Sequence, residues 1–333
     1  MTEEHPFAGY IRTLGKGKHG SRSLSEDEAH RAMQMILAGE AEPIQLGAFL
    51  MLMRVKEETP EELAGFVRAV KESLAVPADA PQVQLDWSSY AGKRRHLPWF
   101  LLSALLLAGS GFKVFMHGAP GRKDDRVYTP QVLAMLGVKE SLTLGEAADA
   151  IRSRNFAFVT LQNISPVLNH IMDLRSMLGL RSPVHTLARM INPLNATASL
   201  QGIFHPGYRG THQAAALLLK QSHMAVFKGE GGEVERNPDG VCLVQSVHDG
   251  ELQDEEWPAM FSGPRHLKDE TMDPTRLLSV WRGESHDEYG EAAVIGTAAI
   301  ALKTMGEAGS VEAAQALATE LWQKRPVAWL NAA

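Results

Sequence analysis

The amino-acid sequence predicts an α/β protein in which a small N-terminal helical domain precedes a larger α/β domain. The larger domain is expected to hold a mainly parallel central sheet flanked by helices. Three observations carry this prediction. Apolar residues recur at three-and-four spacing before residue 76, strand-like and helix-like segments alternate from Gln82 onward, and a loop rich in proline and small residues separates the two patterns.

The first predicted helix begins at a clear capping signal. Ser25 is followed three residues later by Glu28, and acidic residues fill the first turn, where the helix dipole favours negative charge. The helix should run to about Ala38 and stop at Gly39, because glycine commonly ends helices.

Two further helices are expected before the loop. One fits residues 43–56, and the next begins with Thr59 as its N-cap and a proline at the first helical position. The loop at 76–81 is a plausible domain boundary. We therefore expect a helical domain at residues 1–78 and an α/β domain at 79–333.

Short strands alternate with helices in the second part. The expected strands are Val83 to Trp87, Phe112 to Met116, Phe156 to Leu161, His223 to Phe227 and Val241 to Val247. Two helices, Gly290 to Met305 and Val311 to Lys324, are expected near the end of the sequence. Alternation of this kind favours parallel strands, whose ligand crevice lies at their C-terminal ends.

The composition excludes several classes of protein. With 44% hydrophobic and 22% charged residues in 333, the chain is neither disordered nor collagen-like. The single cysteine, Cys242, excludes an internal disulfide. The opening residues lack the basic and apolar regions of a signal peptide, and the longest apolar run, Pro98 to Ala108, is shorter than the roughly 20 residues that span a bilayer. We expect a cytoplasmic protein without a membrane partner.

Positive charge is concentrated in two loops, although the formal net charge of −6 gives no whole-chain indication of nucleic-acid binding. Residues 82–128 hold seven Lys or Arg against three Asp. The expected phosphate or nucleic-acid contacts are Lys93, Arg94 and Arg95 after the first sheet strand and Arg122, Lys123 and Arg126 after the second. The first loop opens a helix, where free N–H groups favour anions. A solvated surface loop is the alternative.

A third basic loop lies near the N-terminus. Lys16, Lys18 and Arg22 are interspersed with glycines, and they are further candidates for nucleic-acid contacts. An ordinary flexible terminus explains the same residues equally well.

The loop after the His223 strand is acidic and rich in glycine. Glu230, Glu233 and Glu235 could hold Mg²⁺ while a substrate phosphate supplies further ligands, although such turns are common without a metal. Arg175 and Arg181, six positions apart, add a separate basic segment. Because no HExxH, Cys-His or GxSxG motif occurs, no catalytic residue is assigned.

The order of these segments resembles the anthranilate phosphoribosyltransferase family, which is glycosyltransferase family 3. The matching residues are Leu178-Gly-Leu-Arg181, the later Asn192-Pro193 and His117-Gly118. The resemblance implies a phosphoribosyltransferase of the nucleoside phosphorylase-like fold with a cleft between its domains. It also implies a homodimer built through the helical domain, which helices near 165–190 would complete.

Several residues depart from the pattern of active family members. A GTGGD-type loop surrounds the pyrophosphate of phosphoribosyl pyrophosphate in those enzymes, but the corresponding stretch here is Ser89–Lys93, with side chains at glycine positions. Residues 97–100 offer no comparable hydroxyl or amide, and a KHGNR-type loop becomes Met116–Pro120. The metal-binding Asp-Glu pair aligns with Val234 and Glu235.

These departures resemble a non-synthase subgroup typified by the bacterial protein YbiB. That resemblance implies a homodimer that binds DNA, and possibly RNA, with little sequence preference, and that needs no cofactor. The substitutions point the same way, because a polymer favours a basic groove over a tight phosphate cradle. Tyr90, Trp99 and Tyr128 lie near the charges and could stack on bases, although core packing is the usual role of such aromatics.

The alternative is a phosphoribosyltransferase that moves phosphoribosyl from phosphoribosyl pyrophosphate to anthranilate or another aromatic acceptor with Mg²⁺. Under this reading His117, Gly118, Arg175 and Arg181 would bind the acceptor, and the three glutamates of the acidic loop would bind the metal. A third option is a scaffold whose basic loops meet an acidic protein.

Overall fold

The computed structural model describes residues 3–121, 125–263 and 266–330. Helices cover both faces of a central sheet. The alternation of strand residues produces this arrangement, because successive side chains point to opposite faces. Trp87, Met116 and Phe158 pack into one core with the C-terminal helices, whereas Phe115 and Val159 pack into a second core with the N-terminal helices.

Within the described residues, the helical part has four helices rather than the three expected. They are α1 (Ala8–Gly15), α2 (Glu26–Leu37), α3 (Pro43–Lys56) and α4 (Pro60–Ser73). The predicted caps are present, since Ser25 accepts a hydrogen bond from the N–H of Glu28 and Thr59 accepts one from the N–H of Glu62. The additional helix, α1, carries no acidic first turn and no side-chain cap that would have marked its start.

Helices α2 and α4 approach each other closely at Gly65. A Cβ atom at this position would overlap the carbonyl oxygen of Glu26 and lie 2.9 Å from the Cβ of Ala29. Glu62 reinforces the contact, because its carboxylate accepts a 2.7 Å hydrogen bond from the N–H of Leu24. The missing side chain of Gly65 therefore sets the distance between the two helices.

In the part of the chain that the structure describes, the sheet has seven strands in the order β3-β2-β1-β4-β5-β6-β7. They are β1 (Leu85–Ser89), β2 (Val114–Gly118), β3 (Phe156–Thr160), β4 (Ala198–Ile203), β5 (His223–Lys228), β6 (Cys242–His248) and β7 (Glu251–Trp257). The first five pair in parallel, and the last two pair antiparallel. The prediction of a mainly parallel sheet is confirmed, and β4 and β7 are strands that the sequence patterns did not reveal.

The remaining helices surround this sheet. They are α5 (Phe100–Gly109), α6 (Thr129–Met135), α7 (Leu144–Arg154), α8 (Leu161–Ile164), α9 (Pro166–Asp173), α10 (Arg175–Leu178), α11 (Val184–Leu187), α12 (Arg209–Leu218), α13 (Thr275–Arg282), α14 (Glu288–Thr304) and α15 (Val311–Gln323). Helix α5 is apolar all round because it lies between the sheet and α14, where the hydroxyl of Ser103 donates to the carbonyl of Val294 at 3.0 Å.

Helices α9 and α11 share a core with the N-terminal helices. Leu168 of α9 and Leu187 of α11 belong to the same buried cluster as Phe49 and Phe66. This packing supports our proposal that helices near 165–190 complete the helical domain, with limits at 1–78 and 79–333.

No helix in residues 3–121, 125–263 or 266–330 combines the length and the hydropathy that a membrane span requires. The run from Pro98 to Ala108 is the buried helix α5 together with its entry.

Candidate anion-binding site

The site lies where the loop after β1 meets the acidic loop after β5, at the C-terminal ends of the strands. The β1 loop is fixed by an antiparallel bridge, in which the N–H of Lys93 donates to Val127 at 2.9 Å and the N–H of Val127 donates back at 2.8 Å. The two loops that the sequence marked as basic are thus joined to each other by backbone hydrogen bonds.

Glu233 occupies the backbone donors of the β1 loop. Its carboxylate accepts hydrogen bonds of 2.6 Å from the N–H groups of both Ala91 and Gly92. Burial raises the pKa of Glu233, and the two N–H donors act in the opposite direction. These N–H groups would face a phosphate in a glycine-rich cradle, but here they are satisfied by the chain's own carboxylate.

Lys93 points inward from the same loop. Its ammonium pairs with Glu230 and Glu235, and the side chains of Lys93 and Glu235 are completely buried. Burial alone would lower the pKa of Lys93, but the two carboxylates outweigh it and raise that pKa above its usual value. Burial raises the pKa of Glu235 to about 7, although Lys93 opposes the shift and the N–H of Phe100 donates to Glu235 at 2.9 Å.

This position of Lys93 differs from the expectation of an exposed phosphate contact, because a fully enclosed ammonium cannot reach a ligand in solution. The acidic loop also differs from the expected metal site. Glu230 and Glu235 hold the Lys93 ammonium where a cation would lie, and Glu233 is committed to backbone donors. The residues as arranged do not fit Mg²⁺ unless Lys93 first leaves.

A cavity of about 370 Å³ adjoins the β1 loop, and four arginines of the described residues line it. We call it the arginine cavity. Its lining residues are Tyr90, Ala91, Ala119, Arg126, Tyr128, Met172, Asp173, Arg175, Ser176, Arg181, His185 and Arg189. Asp173 is the single carboxylate that lines it within the described part of the chain, so positive charge predominates among these residues.

Two of the arginines are fixed by backbone carbonyls. Arg126 donates to the carbonyl of Ala91 at 2.8 Å, and Arg189 donates through Nε to the carbonyl of Gly202 at 3.0 Å. The guanidinium of Arg189 also lies 5.6 Å from the ring centre of Tyr90. Carbonyl partners orient these cations without neutralising them.

Burial and the positive charge of the cavity lower the pKa values of two other residues that line it. Desolvation lowers the pKa of Arg181, and Arg189, Arg175, Arg126 and Arg54 lower it further. Burial, together with Arg181 and Arg189, lowers the pKa of His185 to about 3, so His185 is neutral near pH 7. An anion in the cavity would relieve the mutual repulsion of the arginines, and guanidinium groups bind carboxylates and phosphates well.

Tyr90 connects the cavity to a buried polar chain behind it. Its phenol oxygen lies 2.7 Å from Nδ1 of His117, and Nε2 of His117 lies 3.3 Å from a carboxylate oxygen of Asp86. His117 is completely buried. It therefore orients Tyr90 rather than lining the cavity as an acceptor-binding residue.

Of the other residues expected to bind the acceptor, one lies inside the sheet and two line the cavity. Gly118 lies inside the sheet, where a Cβ atom would overlap the carbonyl oxygen of Ser89, so its role is a close approach of two strands. Arg175 and Arg181 both line the arginine cavity.

The other residues expected to contact phosphate or nucleic acid lie in different parts of the structure. Arg94, Arg95, Lys16 and Lys18 are exposed, and Arg22 pairs with Glu28 through two hydrogen bonds of 2.6 and 2.7 Å. Arg126 belongs to the arginine cavity rather than to an open loop surface. Arg122 and Lys123 lie outside the described residues.

Several cavity residues were not identified from the sequence, and His185 and Arg189 are two of them. Both belong to the stretch before Asn192-Pro193, which carries no recognisable motif of its own. Of the three aromatics considered for base stacking, Tyr90 and Tyr128 line the cavity, whereas Trp99 is completely buried.

Comparisons with known proteins place this arrangement in a family. Residues 8–74 match the domain described as "Glycosyl transferase family, helical bundle domain", and residues 100–324 match "Glycosyl transferase family, a/b domain". The chain is 30% identical over 248 residues to the anthranilate phosphoribosyltransferase of Beijerinckia indica, covering 74% of this chain and 71% of the relative. It is also 30% identical over 234 residues to the uncharacterized protein YbiB of Escherichia coli, covering 68% and 72%.

Solved structures agree on the fold. Anthranilate phosphoribosyltransferase from Thermus thermophilus aligns with a TM-score of 0.79 at 23% identity, over 99% of this chain and 100% of that one. The Saccharomyces cerevisiae enzyme, solved with phosphoribosyl pyrophosphate and Mg, aligns with a TM-score of 0.78 at 18% identity, over 98% and 96%. The expected resemblance is confirmed: the chain belongs to glycosyl transferase family 3, and anthranilate phosphoribosyltransferases are among its homologues.

Proposed function

We propose that this protein binds phosphate-bearing polyanions, nucleic acid being the ligand class, through the arginine cavity and without Mg²⁺. The observation that carries the proposal is the difference in charge between the arginine cavity and the neighbouring acidic loop. Among the described residues, four arginines and one carboxylate line the cavity, whereas Glu230 and Glu235 of the acidic loop are paired with the Lys93 ammonium. Binding of phosphates is therefore supported at the cavity, and binding of a divalent cation is disfavoured beside it.

The cavity also offers surfaces for a base or sugar. Tyr90 and Tyr128 line it, and aromatic rings stack on unpaired bases with little sequence preference. The exposed side chains of Arg94, Arg95, Lys16 and Lys18 are further contacts for a phosphate backbone. These additional contacts are proposed from the chemistry of the exposed groups. The proposed function also includes the expected homodimer and the expected cytoplasmic location.

A salt series tests the proposal. Labelled single-stranded DNA, duplex DNA and RNA are titrated with the protein in EDTA, at several salt concentrations, and binding is followed by fluorescence anisotropy. Log affinity should fall with log salt by about 0.9 per neutralised duplex phosphate, or about 0.7 for single strands. Binding that does not change with salt would overturn the proposal.

Variants assign the binding to the cavity. Arg181→Ala and Arg175→Ala should weaken binding to all sequences alike and reduce the salt slope. Arg152→Ala is the matched control, because Arg152 is a surface arginine that pairs with Asp79 and Asp149 away from the cavity. Equal affinity in all three variants would place the nucleic-acid contacts elsewhere and refute the assignment.

The second candidate is transfer of phosphoribosyl to an aromatic acid with Mg²⁺. Its support is the homology to enzymes named anthranilate phosphoribosyltransferase, together with the position of Arg175 in the cavity, where it could pair with an acceptor carboxylate. Loss of anthranilate fluorescence in the presence of phosphoribosyl pyrophosphate and Mg²⁺ measures this activity. Turnover that disappears in Arg175→Ala would favour the enzyme over the binding protein.

A further inference from the structure

A second cluster of chemically active side chains lies far from the arginine cavity. His223 begins β5, whereas the acidic loop follows the other end of the same strand. Next to His223 are His248, the last residue of β6, and Asp249 in the turn that follows. The ligand atoms of these three residues all lie within 4.8 Å of one another.

The three side chains converge in a small space. Nε2 of His223 lies 3.1 Å from one carboxylate oxygen of Asp249, and Nε2 of His248 lies 3.8 Å from the other. The two imidazole rings have centres 4.3 Å apart. A cation between the rings and the carboxylate would meet two nitrogen ligands and one oxygen ligand.

The backbone holds this arrangement firmly. His223 and His248 are direct partners in the antiparallel register of β5 and β6. Asp249 has a φ of 48° and the next residue, Gly250, has a φ of 85°, as in the two-residue turns that join antiparallel strands. The N–H of Asp249 also donates to the carbonyl of Ser222 at 2.9 Å. Two of the ligands therefore sit on paired strands, and the third sits in the tight turn that follows one of them.

A separate contact orients His223 for metal binding. Its Nδ1 lies 2.9 Å from the carbonyl oxygen of Thr304, at the end of α14. A carbonyl can only accept, so Nδ1 donates to it, and Nε2 is the ring nitrogen that faces the Asp249 carboxylate at 3.1 Å and would bind the metal in place of that contact. Histidines that bind metals commonly donate their other ring N–H to a carbonyl or carboxylate in this way.

From this geometry we infer that His223, His248 and Asp249 bind a divalent transition metal of the Zn²⁺ class. Two imidazoles and one carboxylate suit Zn²⁺, Co²⁺ or Ni²⁺ rather than Mg²⁺, which prefers oxygen ligands. Three protein ligands leave a coordination position for water. The site is distinct from the acidic loop and does not depend on the function proposed for the cavity.

The test uses the full chain after dialysis against EDTA. Calorimetric titration with Zn²⁺ should show one tight site per chain, and Co²⁺ should give the absorption bands of a site with mixed nitrogen and oxygen ligands. Excess Mg²⁺ should not displace either metal. Absence of a stoichiometric Zn²⁺ site would overturn the inference.

Three variants locate the site. His248→Ala removes a partly exposed ligand, and Asp249→Asn removes the charge while asparagine tolerates the left-handed backbone of the turn. Each should lower Zn²⁺ affinity at least tenfold with unchanged circular dichroism. His286→Ala is the matched control, because His286 is an exposed histidine paired with Glu291 elsewhere. If His248→Ala and Asp249→Asn bind Zn²⁺ as tightly as His286→Ala, the assignment is refuted.

Discussion

Lys93 and Glu235 form an ion pair in which neither side chain is exposed to solvent. Such a pair contributes little when complete, but removal of one partner leaves an uncompensated charge in the interior. The pair also joins the loop after β1 to the loop after β5, so its integrity determines the shape of the whole site.

We expect Lys93→Met to destabilise the protein by about 3–5 kcal/mol at pH 7.5, because Glu235 and Glu230 would lose their buried cation. Urea unfolding measures the change. The loss should shrink at lower pH, because Glu235 then takes up a proton. Arg94→Met, at the exposed neighbouring position, is the control and should have little effect. A stable Lys93→Met protein would contradict the described pair.

Removal of Lys93 should also create affinity for divalent cations. In Lys93→Ala the carboxylates of Glu230 and Glu235 face each other without a cation, and hard oxygen ligands favour Mg²⁺. We expect MgCl₂ to raise the melting temperature of Lys93→Ala but not that of the unmodified protein. If MgCl₂ raises the melting temperature of both proteins equally, Lys93 does not exclude the metal.

Gly65→Ala should cost about 1–3 kcal/mol, because the added methyl group overlaps the backbone of α2 at Glu26. Gly9→Ala in α1 is the matched control, since nothing lies within 4 Å of the added atom. That change should be neutral or stabilising by up to about 1 kcal/mol, because alanine is the better helix former. Thermal unfolding of both variants decides whether contact or helix propensity dominates at Gly65.

We expect the proposed dimer to form through the exposed face of α3. Ile44 and Val55 are 83% and 81% exposed, and they lie on one side of the helix with Ala48 and Met51 between them. The double variant Ile44→Asp and Val55→Asp should be monomeric by sedimentation, because charged groups oppose burial of this face. Leu267→Asp, at another exposed apolar position, is the control. An unchanged assembly in the double variant would exclude this face.

His212 should make the protein sensitive to acid. Burial, together with Arg189, lowers its pKa to about 3, and its Nδ1 lies 2.6 Å from the side-chain oxygen of Gln201. The unfolded chain binds a proton on His212 below about pH 6.5, whereas the folded chain does not, so this contribution to stability is lost as the pH falls below 6.5.

The measurement compares urea unfolding of the unmodified protein and His212→Gln between pH 4.5 and 7.5. The free-energy difference between them should change steadily below pH 6.5, with the unmodified protein losing more as the pH falls. Parallel pH profiles would show that His212 is protonated equally in the folded and unfolded states.

Local chemistry explains which parts of the fold were predictable. The caps at Ser25 and Thr59 are decided within four residues, so the sequence alone identifies them. Strand β4 was missed because Ser199, Gln201 and Gly202 interrupt its apolar pattern, although the strand is buried between β1 and β5. Its burial depends on its place in the sheet, which no short segment specifies.

The site was predicted only in outline. The basic loop after β1 was correctly placed at a strand end. Of its adjacent residues Lys93 and Arg94, however, the first is buried and the second is exposed. The partners of Lys93, Glu230 and Glu235, lie 137 and 142 positions further along the chain. Arg189 was missed because a lone arginine becomes part of a cavity only when distant segments assemble around it.

The carboxylate of Glu233 accepts hydrogen bonds from the N–H groups of Ala91 and Gly92, so it competes with any anion from solution for these two donors. A tethered group acts at an effective concentration on the order of millimolar or higher, and it cannot diffuse away. A free phosphate present at micromolar concentration would be displaced from these donors by mass action. We therefore expect anions that reach this end of the sheet from solution to bind in the arginine cavity, where Asp173 is the single lining carboxylate among the described residues.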